Sequence, residues 1–166
     1  FERLGPRVVE VYGQIADGER LSCSYESSLG IDLAGLSREE VCDAFLARLS
    51  KIREDELRRQ QTLVGPQRDD LAFRVEGRDA RSFASQGQQR TIVLAWKMAE
   101  VDLAREVVGQ LPLLLLDDVM SELDADRRGA MTRFVEEGMQ TVVTTTNLGY
   151  FPEELLADAE VVHIGE

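Results

Sequence analysis

Cysteine, histidine and lysine are scarce in this 166-residue chain, and each scarcity excludes something. The two cysteines, Cys23 and Cys42, form no C-x-x-C pair and have no histidine near them. A zinc ribbon or a disulfide scaffold is not built that way, and thiols so placed fit a reducing compartment. The single histidine, His163, lies in the apolar run Val161-Val162-His163-Ile164, which reads as a closing strand rather than a catalytic site. No run approaches the roughly 18 apolar residues of a membrane span. The longest aliphatic stretch, Leu113 to Leu116, has the length of a strand. With no signal-peptide pattern at the N-terminus, a cytoplasmic location and no membrane partner are expected. Only Lys51 and Lys97 are lysines, and neither follows the glycines of a G-x-x-x-x-G-K-S/T phosphate loop. Phe1 rather than methionine opens the chain, which therefore reads as part of a longer protein.

Positive charge is also in deficit: the net charge is −12. Phosphate contacts need Lys and Arg, so this balance argues against a broad nucleic-acid face within the chain itself. Local clusters such as Arg58-Arg59 read as solvated helix surface. Any DNA surface is expected largely from a missing part or from partners. Hydrophobic residues make up 43% of the chain, which excludes disorder on composition.

Residues 7–26 alternate weakly around a turn signal, Ala16-Asp17-Gly18-Glu19, and predict a strand hairpin. Ser37 and Glu40 form a capping-box pair that predicts a helix to about Gln61, with Val41, Phe45, Leu46, Leu49 and Ile52 on one face. Gly65-Pro66 ends that region. Leu71–Glu76 and Asp79–Phe83 predict two short strands joined at Gly77. A helix apolar on two sides follows Ser85-Gln86-Gly87 and stops at Gly109 and Pro112. The leucine run predicts a parallel strand buried on both faces. Asp124 caps a further helix, and Thr141–Thr144 predicts another strand. From residue 85 onward this is half of an α/β layered domain.

Four segments carry candidate chemistry. Leu113-Leu114-Leu115-Leu116-Asp117-Asp118 is an apolar strand ending in two acids, the arrangement called Walker B in P-loop NTPases. A rigid strand end suits Asp117 as the Mg²⁺-holding carboxylate and Asp118 as the group that activates water. Ser85-Gln86-Gly87-Gln88, just before a buried helix, resembles the signature motif of ABC ATPases. A small hydroxyl and a glycine let free helix N–H groups approach a phosphate. Ser121-Glu122-Leu123-Asp124 resembles the D-loop, although Asp124 as an ordinary helix cap is equally compatible. Val143-Thr144-Thr145-Thr146-Asn147 is a strand end where Thr146 stands in the place of a switch histidine. Signature, helix, Walker B, D-loop and switch strand follow one another in the order of the second half of an ABC head.

The details resemble the RecF family. Gly65-Pro66-Gln67-Arg68-Asp69-Asp70, the signature Ser85 to Arg90, and Asp117-Asp118-Val119-Met120-Ser121-Glu122-Leu123-Asp124 carry the likeness. Gln67 departs from the histidine usual in that family. The resemblance implies an α/β fold, the C-terminal half of an ABC-type (SMC/RecF-like) P-loop ATPase head with a helical lobe and a mostly parallel sheet. Residues 1–64 would be part of the lobe with an N-terminal hairpin, and residues 65–166 the C-terminal half of the head. It implies ATP and Mg²⁺ as cofactors. Asp118 would be catalytic and Asp117 would hold the metal, with Ser85, Gln86, Gly87, Gln88, Asp124 and Thr146 at the nucleotide. The implied role is DNA replication and repair, within the SOS response to DNA damage, at single-strand gaps and duplex junctions. An ATP-dependent homodimer acting with RecR and RecO-like mediators goes with it. Slow hydrolysis is expected of the full-length protein and none of this chain alone. Another SMC-like head, and a non-catalytic DNA clamp or partner-docking module, are the competing readings.

Overall fold

Val8, Val11, Tyr12 and Ile15 recur at helical spacing, and all four are buried. They form the inner stripe of α1 (Leu4–Ile15) in the computed structural model, which describes residues 1–16, 18–135 and 138–164. The hairpin expected over residues 7–26 is therefore not formed. An alternating pattern and a helical stripe coexist in this segment, and packing decided between them. The partner of α1 is α4 (Gln86–Val108), where Ala95 and Ala99 are completely buried and let the two helices approach closely.

After α1 the chain turns at Gly18, whose φ is 78°, and enters β1 (Leu21–Glu26). β1 pairs antiparallel with β2 (Asp70–Val75), Leu21 opposite Val75 and Glu26 opposite Asp70. The return from β2 uses Glu76 and Gly77, with φ of 50° and 77°, the two positive values of a tight hairpin turn that matches strand twist. β3 is only Arg78–Asp79, not the longer strand expected over residues 79–83. The Asp79 carboxylate accepts the Ser82 N–H at 3.0 Å and starts the single-turn helix α3 (Ala80–Phe83) instead.

The segment between β1 and β2 carries α2 (Arg38–Arg59), opened by the expected reciprocal bonds between Ser37 and Glu40. Its apolar face is only partly covered. Ile52 is buried, while Leu46 and Leu57 are 63% and 69% exposed. The foot of this excursion is pinned by hydrogen bonds. The Tyr25 hydroxyl and the Ser28 N–H both donate to Asp69, and Ser28 also bonds the backbone of Gly65. Burial pushes the Asp69 carboxyl up, but the bonds from Tyr25 and Ser28 outweigh it and hold the pKa below its ordinary value. A depressed carboxyl contributes stability above its unfolded pKa and loses it as pH falls through the folded one. Asp69→Asn is expected to cost about 1 kcal/mol at neutral pH. The gap to the parent should shrink in acid, as read by urea melts at both pH values.

The second sheet is the parallel pair β4 (Leu114–Asp117) and β5 (Thr141–Thr144), with Asp117 opposite Thr144. Between them run a 3-10 turn (Val119–Glu122) and α5 (Ala125–Val135). Leu116 and Met120 join Met131, Phe134 and the α4 side chains in one core. Burial of the leucine strand on both faces is not found: Leu113 and Leu115 are 55% and 68% exposed. A two-stranded sheet has one face against the core, and among the described residues nothing covers the other. Beside it lies an apolar trough of about 900 Å³, lined in part by Val93, Met98, Val101, Leu115, Leu116 and Phe134. α6 (Glu153–Ala157) follows, and residues 161–164 run as unpaired chain rather than as a strand. A strand needs a neighbour for its backbone groups, and among the described residues none pairs with it. No described helix is long and apolar enough to cross a membrane.

Candidate functional site

β4 ends by delivering Asp117 to the surface, where its Oδ1 accepts the Thr144 hydroxyl at 2.5 Å. The parallel register makes that bond, since Thr144 is the residue directly across from Asp117. The next residue, Asp118, takes a left-handed conformation with φ 47° and ψ 24°. Its N–H donates to the carbonyl and hydroxyl oxygens of Thr144, both at 3.1 Å. Ser121 Oγ lies 2.9 Å from Asp118 Oδ2 and can donate to it, while Oδ1 is buried with no partner among the described residues. A left-handed non-glycine residue costs about 1 kcal/mol or more. A buried oxygen without a bond adds about 1–3 kcal/mol. One cost falls on the backbone of Asp118 and the other on its side chain.

The donor set fits a hard divalent cation of the Mg²⁺ kind. Such an ion takes one or two carboxylates and completes its octahedron with water and phosphate oxygens. Asp117 offers an exposed carboxylate, and no cluster of three acids, cysteines or histidines exists among the described residues to form an all-protein cage.

At the start of α4, Ser85 Oγ accepts the Gln88 N–H at 3.2 Å and the Gln88 side chain accepts the Ser85 N–H at 2.9 Å. Gln88 also donates to Glu19 at 3.0 Å, and Glu19 in turn accepts the Tyr12 hydroxyl at 2.7 Å. Burial first, and then Glu19, push the Tyr12 phenol well above its ordinary pKa, so it remains a proton donor. Ser85 and Gln86 are exposed, and Gly87 is half-buried. A Cβ on Gly87 would stand 3.4 Å from the Arg127 guanidinium, an ordinary van der Waals contact, so that arginine lies directly over the glycine. No hydrogen bond among the described residues joins Ser85 or Gln86 to Asp117 or Asp118.

Asp124 accepts the Arg127 N–H at 3.0 Å at the start of α5 and pairs with the Arg127 side chain. Thr146 lies two residues beyond the end of β5, exposed, and makes no bond to the acid pair. The threonine that meets those acids is Thr144, which reading the motif alone missed. Aligning the two strand ends would have found it. Thr91 and Arg127 were missed as well, and His163 is exposed outside any element.

No family model matches the chain. It is 42% identical over 163 residues to the DNA replication and repair protein RecF of Synechocystis sp., covering 98% of this chain and 42% of that protein. It is 48% identical over 147 residues to RecF of Symbiobacterium thermophilum, covering 88% of this chain and 39% of the relative. Among solved structures it is similar to the recombination mediator protein RecF-ATPrS in the RecFOR pathway, with a TM-score of 0.73 at 32% identity. That match covers 89% of this chain and 39% of the other. The corresponding RecF-ATP structure gives 0.71 at 33% identity. The α/β architecture of part of an ABC-type head, expected from the motifs, is thus the one found. With likeness running along nearly its whole length, this chain belongs to the RecF family, and it spans about two fifths of the length of the relatives it matches.

Proposed function

We propose that this chain supplies two separated parts of a composite ATP site in a RecF-like DNA replication and repair protein. Asp117 would hold Mg²⁺, and the ion when bound would offset charge on the β- and γ-phosphates. Asp118 would orient a water and accept its proton. Ser85, Gly87 and the first turn of α4 would offer N–H groups and a helix dipole to the nucleotide held by a second protomer. Two copies would meet about a two-fold axis, each giving its acids to one nucleotide and its signature turn to the other. Asp124 and Thr146 would lie near that interface. The observation that carries the reading is Asp118 itself, a left-handed residue with one carboxylate oxygen buried and without a partner among the described residues, beside a strand-end acid.

The phosphate-binding loop would come from the part of the relatives' length that this chain does not span, and the bare face of β4 and β5 is where that part would pack. Residues 65–166 would be the C-terminal half of the head. Residues 1–64 would be part of the lobe, with α1 lying on α4 and β1 pairing with β2 to join it to the rest of the chain. We further propose that the whole protein binds DNA at single-strand gaps and duplex junctions when ATP is bound. It would act there with RecR and RecO-like mediators, as the RecFOR description of its structural relative suggests. Hydrolysis would release the dimer.

The test uses the full-length protein with Mg²⁺, ATP and gapped DNA, following dimer mass and phosphate release together. ATP-dependent dimers with slow phosphate release support the reading. Dimers on DNA without any phosphate release would leave a non-catalytic clamp, and no nucleotide binding would remove the composite site altogether.

A further inference from the structure

Two arginines link the start of α4 to the acid-bearing part of the chain, one from each side. Arg127 Nε donates to the Thr91 hydroxyl while its terminal nitrogen pairs with Asp124. Thr91 is completely buried, and its hydroxyl donates to the Gly87 carbonyl at 2.8 Å. From the other direction Arg90 Nη1 donates to the Glu122 carbonyl at 2.6 Å. These bonds span 36 and 32 residues of sequence. The hydroxyl of Thr91 uses its one proton on Gly87 and a lone pair on Arg127, so the three groups form a continuous chain. A hydroxyl bonded to the carbonyl four residues back also bends a helix locally. The contact therefore acts on the first turn of α4 itself. Glu19, held by Tyr12, bonds Gln88 and closes the turn from another side.

We propose that Arg127 and Arg90 are positioning residues that lock the Ser85–Gly87 turn to the 121–124 loop of the same chain, so that a shift of one moves the other. An ion pair with Asp124 and a bond from the same cation to the neutral Thr91 hydroxyl place Arg127 between an exposed carboxylate and a buried hydroxyl. Asp124 is 51% exposed and the Arg127 side chain 20%. Anything that engages Asp124 from outside thereby changes the pull on Gly87. The consequence for nucleotide turnover rests on the composite site proposed above. One protomer would sense, at its own loop, whether its signature turn is correctly set for the nucleotide of its partner.

The coupling is read in the full-length protein by hydrogen exchange at the amides of Gln88 to Thr91. Asp124→Asn is expected to speed that exchange by about tenfold, within the usual range of coupling between connected sites. Arg127→Met should produce the same rise, and adding Asp124→Asn to it should add nothing, the mark of one shared chain of contacts. Thr91→Val should match Arg127→Met, and Thr91→Ser, which keeps the hydroxyl, should restore the parent rate. If Arg127→Met does not fold, the Thr91→Val and Thr91→Ser pair decides in its place. Unchanged exchange in these variants, or effects of Asp124 and Arg127 that simply add, overturns the proposal. A separate measurement follows ATP-driven dimer formation, expected to fall about tenfold in Thr91→Val. Exchange that responds while dimers form normally supports the coupling and counts against the composite site, so the two ideas fail separately.

Discussion

Asp118→Asn in the full-length protein is expected to slow ATP hydrolysis by about a thousandfold, in the range that loss of a positioned general base produces. The substitution is close to isosteric. Asparagine tolerates the left-handed conformation that Asp118 adopts at φ 47°, so the turn after β4 survives. Ser121 retains an oxygen to bond, and the N–H of residue 118 still meets Thr144. What disappears is the charge and the basic lone pair of the buried Oδ1. Nucleotide-driven dimers should persist, because nothing in the signature turn has changed. The assay is single-turnover phosphate release alongside dimer mass in the presence of ATP. Turnover equal to the parent's would remove Asp118 as the base and move attention to a residue outside this chain.

The other large effect is expected at Ser85. Replacing it with arginine should weaken ATP-driven dimerisation by about a hundredfold or more, as loss of a central interface contact does. Two causes act together. The cap bonds at Ser85 are lost, which costs about 1 kcal/mol at a helix N-terminus. A long cation also enters a position that is exposed in the single chain and would face the partner's nucleotide. Ser85→Ala separates the causes, since it removes the cap without adding bulk. A thermal melt should then show similar destabilisation in both variants, while sedimentation with ATP shows dimers lost only in the arginine variant. Dimers that form normally in Ser85→Arg would contradict a role for this turn across the interface.

Local signals were the legible ones. Ser37 with Glu40, and Ser85 with Gln88, lie three residues apart and satisfy each other's backbone groups whatever surrounds them, so both helix starts stand where the residues say. Asp117 at a strand end follows in the same way from the apolar run before it. α1 was not legible, because its stripe of Val8, Tyr12 and Ile15 sits inside a pattern that also alternates. The choice came from Ala95 and Ala99 on α4, some eighty residues away, which offer a flat surface for a helix to lie on. Thr144 and Thr146 look alike in a row of three threonines, and only the register of β5 against β4 puts the first of them on the acids.

By itself, then, the order of residues determined the α/β class, the starts of α2, α4 and α5, the strand-end acids and the likeness to the RecF family. Those depend on neighbours within a few positions, or on motifs in a set sequence. Tertiary structure decided that the first segment is a helix and that one face of the leucine strand is bare. It also decided that Arg127 reaches Thr91. Such outcomes depend on which surfaces meet after the chain has doubled back, and burial and hydrogen bonding between distant segments are settled only there.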